Sequence, residues 1–175
     1  MCCLFGILDY GHSLSTAQKN HILAVLSASC EERGTDATGI AYNTSHGLKI
    51  YKRPIPAHRL RLRVPRDTNY IMGHTRMTTQ GDEHCNQNNH PFRGMVNGLP
   101  FALAHNGVLH NDKTLRQQKN LPVTKIETDS YVAVQLIERQ GELSFDSLKK
   151  MAEAVEGTFS FTAMDKEDNL YIVRR

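Results

Sequence analysis

The chain has 175 residues, of which 39% are hydrophobic and 22% are charged, and its formal net charge is +3. This length fits one domain with a real core, so we expect residues 1–175 to form a single domain. The composition excludes a disordered or fibrous chain, and the net charge is mildly basic.

The first third of the chain predicts a strand, a helix and a hairpin. Residues 3–8 are a short apolar run that suits a buried first strand. Ser15, with a glutamine three residues later, resembles a capping box, and apolar residues at helical spacing follow it until Gly34. Two segments, 38–43 and 48–52, flank a turn and predict a hairpin.

Most of the positive charge lies in residues 58–66, where arginines alternate with Leu60, Leu62 and Val64. A nucleic-acid surface usually combines a wider basic face with aromatic residues for stacking. The alternation instead predicts a strand or short helix with one solvated face, and we expect no nucleic-acid binding.

The rest of the chain predicts further strands and two adjacent helices. A helix capped by Thr128 or Asp129 should run to Gly141, and residues 81–97 read as a long polar loop. The other predicted elements are strands at 70–75, 101–105, 158–164 and 169–173 and a helix at 145–155. This order does not alternate as βαβ units do, which favours stacked antiparallel sheets with helices outside.

The four cysteines, at positions 2, 3, 30 and 85, show no spacing typical of a disulfide framework. The first residues lack the pattern of a signal peptide, and no apolar run approaches the length of a membrane span. We therefore expect a cytoplasmic protein with free thiols and no membrane association.

Cys2 has a chemical option that an internal cysteine lacks. Removal of Met1 would give it a free α-amino group, with an ordinary pKa of about 8. That amine can act as general base for the thiol of the same residue. The alternative is a buried structural cysteine at the edge of a strand.

Three further segments carry possible binding groups, each with a plainer alternative. Arg76 ends an apolar strand and could bind a carboxylate, or form a surface salt bridge. Asn106 and Gly107 follow another apolar strand and could form an oxyanion hole, or simply a hairpin turn. Asp129 could bind an ammonium group, or cap a helix.

Taken together and in order, these segments resemble the glutaminase domain of the class II, N-terminal-nucleophile glutamine amidotransferases, as in glucosamine-6-phosphate synthase and amidophosphoribosyltransferase. The resemblance covers nearly the whole chain. The matching stretches are Cys2-x-x-Phe5-Gly6-Ile7, Arg33 to Gly39, Gly73-His74-Thr75-Arg76, Asn89-His90-Pro91, His105-Asn106-Gly107 and Glu127-Thr128-Asp129.

The resemblance implies an α+β fold of the Ntn-hydrolase type, a four-layer αββα sandwich of two antiparallel sheets. It implies hydrolysis of L-glutamine to glutamate and ammonia, without cofactor or metal, with ammonia passing to an acceptor reaction on a separate synthetase protein. The implied roles are nucleophile for Cys2, oxyanion hole for Asn106 and Gly107, and substrate binding for Arg76, Thr79, His90 and Asp129.

This chain departs from the usual pattern of the family at three positions. Met77 and Gln80 stand where relatives resembling glucosamine-6-phosphate synthase have Trp and His, and Cys3 replaces a glycine. The first two positions belong to the loop that would cover the substrate. No acceptor domain is expected within the 175 residues.

Three other functions compete with a glutaminase. A metal-dependent hydrolase is suggested by several histidines and Cys85, but their spacing does not match known zinc motifs. A non-catalytic glutamine-binding or regulatory subunit would keep the same fold. A hydrolase of another γ-glutamyl amide would share the nucleophile, and only Arg76 and Asp129 argue for glutamine itself.

Overall fold

A computed structural model of the chain describes residues 2–175. The eight strands are β1 (Cys3–Leu8), β2 (Ala37–Thr44), β3 (Gly47–Arg53), β4 (Tyr70–Arg76), β5 (Phe92–Val96), β6 (Leu99–Leu109), β7 (Gly157–Asp165) and β8 (Leu170–Arg174). The four α-helices are α1 (Thr16–Glu31), α2 (Asp112–Gln118), α3 (Tyr131–Gln140) and α4 (Phe145–Ala154).

The strands form two antiparallel sheets. The first has the order β1-β4-β2-β3 and the second the order β5-β6-β7-β8. Between the sheets lies a layer of small and flexible apolar residues that includes Ala41, Met72, Ala102, Ala104 and Met164. The small alanines allow the two sheets to approach closely at this layer.

Helices cover the two outer faces of the sandwich. Leu23 of α1 is fully buried against Ile40 and Ile71 of the first sheet. Val132 and Met151, from α3 and α4, are equally buried against the second sheet. The predicted αββα sandwich of two antiparallel sheets is therefore confirmed.

Most of the predicted elements are confirmed with small shifts at their ends. The capping box at Ser15 is present, since its hydroxyl accepts from the Gln18 backbone N–H at 3.3 Å and its backbone N–H donates to the Gln18 side chain at 2.9 Å. The predicted hairpin is β2 and β3, which pair from Thr44 with Gly47 outwards.

The structure corrects four sequence interpretations. The segment 81–97 is not all loop, because its last residues form β5. The short polar helix α2 was missed. Asn106 and Gly107 do not form a turn, since β6 runs on to Leu109 along β7. The helix predicted to be capped by Thr128 or Asp129 begins at Tyr131, and its N-cap, Ser130, makes no side-chain cap bond.

In the basic segment the predicted alternation is present, with Leu60, Leu62 and Val64 buried and Arg61 and Arg63 exposed. Only residues Ala57–Arg59 form a short 3-10 helix, and the alternating residues lie outside any regular strand. Among the described residues, no helix combines the length and apolar character needed to cross a membrane.

Gly34 shows how closely the end of α1 packs on β4. A Cβ atom at this position would lie 2.5 Å from the backbone carbonyl carbon of Arg76, where neither backbone can yield easily. We expect Gly34→Ala to destabilise the fold by about 1–3 kcal/mol through overpacking, measured by urea unfolding. Gly11→Ala is the control, because its nearest contact would be a serine side chain at 3.8 Å. Equal unfolding midpoints for the two variants would contradict this packing.

Candidate functional site

Cys2 immediately precedes β1 and lies beside the end of β4. Its thiol donates to the Met77 carbonyl at 3.5 Å, and its sulfur accepts from the Met77 backbone N–H at 3.4 Å. Because side chains alternate along a strand, Cys2 shares a side with Leu4, which packs between the sheets. The predicted removal of Met1 lies outside the described residues.

The surroundings of Cys2 determine how its thiol must be activated. Burial raises the pKa of the thiol above its ordinary value, while the hydrogen bond from Met77 and the charge of Arg76 oppose that rise. The thiol is therefore protonated at neutral pH, and a nucleophilic role needs a base to remove the proton.

Arg76 is the last residue of β4 and is only 3% exposed. Its guanidinium donates to Asn89 Oδ1 at 2.6 Å, to the Gln80 carbonyl at 2.6 Å and to the Gly81 carbonyl at 3.2 Å. All of these acceptors are neutral, and Arg76 forms no ion pair with residues 2–175. A buried guanidinium of this kind is prepared to receive an anion.

Asp129 lies just before α3 and is 5% exposed. Its carboxylate accepts from the Leu109 backbone N–H at 2.7 Å and from the Ser130 hydroxyl at 3.2 Å. Within the described part of the chain it forms no ion pair either. Burial lowers the pKa of Arg76 and raises that of Cys2, and the charge of Asp129 contributes at both groups, so the three lie close enough to interact electrostatically.

A hydrogen-bond relay across both sheets holds Asp129, and sequence reasoning missed it. His74 Nε2 donates to the His105 carbonyl at 2.9 Å, and His105 Nδ1 lies 2.7 Å from Ser130 Oγ. The Ser130 hydroxyl also lies 3.2 Å from the Asp129 carboxylate, so it links the His105 ring to Asp129. Burial lowers the pKa of His74 to about 3 and that of His105 to about 4, so both are neutral at pH 7.

Asn106 and Gly107 lie near the C-terminal end of β6, opposite Ser160 and Phe159 of β7. Strand alternation puts Asn106 on the same side as Ala104, in the layer between the sheets. Gly107 has φ of +150°, and a Cβ atom there would lie 2.0 Å from the Thr158 carbonyl oxygen. Position 107 therefore requires glycine because of its backbone angle and its close approach to β7.

The other two predicted binding residues differ in exposure. Thr79 is exposed in the bend after β4, whereas the hydroxyl of neighbouring Thr78 is buried with no partner among the described residues. The His90 ring is buried between His74 and Phe92, with ring centroids 4.2 Å and 4.3 Å away. Burial holds the pKa of His90 well below its ordinary value, so this ring is also uncharged.

Two residues near Arg76, Asn89 and Lys52, were not predicted to belong to the site. Asn89 binds Arg76 through its side-chain oxygen, and its backbone carbonyl accepts from the Lys52 ammonium group. Burial lowers the pKa of Lys52 to about 8, and the nearby positive charge of Arg76 contributes. The Asn89-His90-Pro91 stretch was one of the segments that resemble the family, but the sequence did not show that Asn89 would bind Arg76 and Lys52.

Among residues 2–175, His84 is the one suspected metal ligand that belongs to a group with ligand-like spacing. Among the described residues, the group that could hold a metal ion is Asp82, Glu83 and His84, whose ligand atoms lie within 4.8 Å of one another. These residues sit in the surface loop after β4, and exposed acidic groups are common without an ion. Cys85 and His90 are not part of the group.

The fold is a sandwich of two antiparallel sheets between helices, with a cysteine immediately before its first strand and two buried, oppositely charged side chains near it. The family model for class II glutamine amidotransferases matches residues 2–164, and the chain belongs to this family. The resemblance seen in the sequence is therefore confirmed.

Particular relatives are considerably longer than this chain. It is 31% identical to glutamine–fructose-6-phosphate aminotransferase [isomerizing] of Staphylococcus epidermidis over 183 residues, covering 99% of this chain and 29% of the relative. The protein of the same name from Halalkalibacterium halodurans is 31% identical over 169 residues, covering 93% of this chain and 27% of the relative. The chain thus spans less than a third of the curated relatives that it matches.

Solved structures agree on the fold. Glutamine phosphoribosylpyrophosphate (PRPP) amidotransferase from B. subtilis, complexed with ADP and GMP, matches with a TM-score of 0.73 and 22% identity, over 95% of this chain and 35% of that one. A predicted glutamine amidotransferase from Pseudomonas aeruginosa PA01 matches with a TM-score of 0.54 and 20% identity, over 79% of this chain and 60% of that one.

Proposed function

We propose that this chain hydrolyses the side-chain amide of L-glutamine to glutamate and ammonia through a thioester at Cys2. The observation that carries the proposal is the pair of buried, oppositely charged side chains near the thiol. Arg76 and Asp129 form no ion pair with residues 2–175, and both act electrostatically on Cys2. A free amino acid, which carries one carboxylate and one ammonium group, would satisfy both charges at once.

In this proposal each predicted site residue has one role. Arg76, together with Thr79, binds the α-carboxylate of glutamine, and Asp129 binds the α-ammonium group. The Asn106 amide and the Gly107 backbone N–H stabilise the oxyanion that forms during attack. His90 supports substrate binding indirectly. It adjoins Asn89, whose side-chain oxygen accepts a hydrogen bond from the Arg76 guanidinium.

The proposed reaction has two steps. With Met1 removed, the α-amine of Cys2 takes the thiol proton, and the sulfur attacks the side-chain carbonyl carbon of glutamine. The bond from that carbon to nitrogen breaks, and ammonia leaves with the proton that the α-ammonium group of Cys2 returns to it. Water then attacks the thioester, which releases glutamate and regenerates the thiol.

We further propose that the ammonia serves an acceptor reaction outside residues 1–175, on a separate synthetase protein. The curated relatives are named as glutamine-dependent aminotransferases, and their chains are more than three times as long as the region that matches residues 1–175. Residues 1–175 would then act as one glutaminase domain, in the cytoplasm, with L-glutamine and the synthetase as partners and without cofactor or metal.

The test is turnover of L-glutamine by the purified chain. We expect glutamate and free ammonia in equal amounts, at a low rate that a synthetase partner raises, and no turnover of D-glutamine. Amidation of a defined acceptor by the chain alone would contradict the proposed separation of roles. Binding of glutamine without turnover would instead support a regulatory subunit, and preferential cleavage of another γ-glutamyl amide would overturn the choice of substrate.

A further inference from the structure

Cys3 points away from the proposed nucleophile and towards helix α1. Cys3, Phe5 and Ile7 share one side of β1, and Phe5 and Ile7 pack in the apolar cluster under α1. The Cys3 thiol meets Cys30, in the last turn of α1, with 2.7 Å between the two sulfur atoms. Cys2 is engaged with Met77 instead, so the two adjacent thiols occupy separate environments.

The backbones that carry Cys3 and Cys30 are already held together by other contacts. Cys3 is opposite Thr75 in the pairing of β1 with β4, and the Thr75 hydroxyl donates to the Cys30 carbonyl at 2.8 Å. Both cysteines are free, and neither residue is fully buried. A covalent S–S bond is about 2.05 Å long, so the two sulfur atoms, 2.7 Å apart, need only a small further approach to reach that separation.

We propose that Cys3 and Cys30 are a thiol-oxidation site that forms a reversible disulfide, separate from the Cys2 nucleophile. The oxidant is a small disulfide of the glutathione class. One thiol attacks it to give a mixed disulfide and one molecule of reduced thiol, and the second thiol then displaces the other. Two protein thiols are oxidised, one small disulfide is reduced to two thiols, and no other electron acceptor is needed.

The surroundings of Cys30 make its thiol less reactive. Burial and the neighbouring Cys3 thiol raise the pKa of Cys30. The linked product is the same whichever thiol attacks the small disulfide first, because the remaining thiol lies 2.7 Å away.

The site does not depend on glutaminase activity, so its test can use the Cys2→Ala chain, in which Cys2 cannot compete. We expect incubation with oxidised glutathione, followed by alkylation and peptide mass spectrometry, to show loss of two hydrogen atoms and a Cys3–Cys30 linked peptide as the main product. Dithiothreitol should reverse it. Because the link constrains the unfolded chain, the Tm should rise on the order of 5 °C.

Matched variants distinguish this site from unspecific oxidation. Cys85→Ser, at another half-buried cysteine, should still form the link and show the rise in Tm. Cys3→Ser and Cys30→Ser should do neither, and Cys3→Ala and Cys30→Ala serve as second variants if the serines impair folding. Persistent mixed disulfides without a link, or a Tm rise that survives Cys30→Ser, would overturn the proposal, as would a link between Cys2 and Cys3 as the main product in the unmodified chain.

Discussion

Replacing Cys2 with Ala is expected to lower glutaminase turnover by roughly 10³-fold or more, because the attacking sulfur is lost. Cys3→Ala and Cys3→Gly should stay within a few-fold of the parent rate, since Cys3 faces Cys30 and not the layer between the sheets. The measurement is ammonia release under saturating glutamine, together with labelling by a glutamine-like electrophile. The label should appear on Cys2 alone.

The N-terminal residue provides the decisive control for this mechanism. Since burial raises the pKa of the Cys2 thiol, activation depends on a nearby base, and the α-amine is available only when Met1 is absent. Intact mass should therefore show that active protein begins at Cys2. Full activity in a preparation that retains Met1 would contradict self-activation, even with the fold and the substrate correctly assigned.

Neutralising Asp129 is expected to lower kcat/KM for glutamine by roughly 30-fold or more, mainly through KM, because a substrate ammonium group would be left without its partner. Asp129→Asn suits this test, since the amide oxygen can still accept from the Leu109 backbone N–H. Arg76→Ala should have a similar effect at the carboxylate end. Arg76→Lys keeps the charge but cannot reproduce all of the bonds to Asn89, Gln80 and Gly81.

A substrate analogue makes the assignment of Asp129 specific. The parent enzyme should strongly prefer glutamine over the analogue that lacks the α-amino group, and Asp129→Asn should lose most of that preference. Asp112→Asn is the matched control, because Asp112 is another buried aspartate, 7% exposed, in α2. Unchanged KM for both Asp129→Asn and Arg76→Ala would remove these residues from the site.

Local signals in the sequence predicted the elements that have their own caps, turns or strong periodicity. The capping box at Ser15 and the hairpin of β2 and β3 are such cases. Strand β5 was missed although its residues alternate between buried and exposed, because polar residues before it suggested a continuous loop. Strand β6 extends past Asn106 because β7 supplies pairing partners that are 48 to 52 residues away in the chain, from Gly107 with Phe159 to Leu109 with Gly157.

For the site, the sequence alone determined the family and which residue types stand in order from Cys2 to Asp129, because these are properties of spacing along the chain. Only the tertiary structure decided which charges are paired. It left Arg76 and Asp129 without ionic partners among the described residues, although a surface salt bridge and a helix cap were both reasonable from sequence. The tertiary structure also showed that the Cys2 and Cys3 thiols have different surroundings, because the packing of α1 against β1 places Cys30 beside Cys3. The pairing of these charges depends on segments distant in sequence, which the local pattern around Arg76 or Asp129 does not specify.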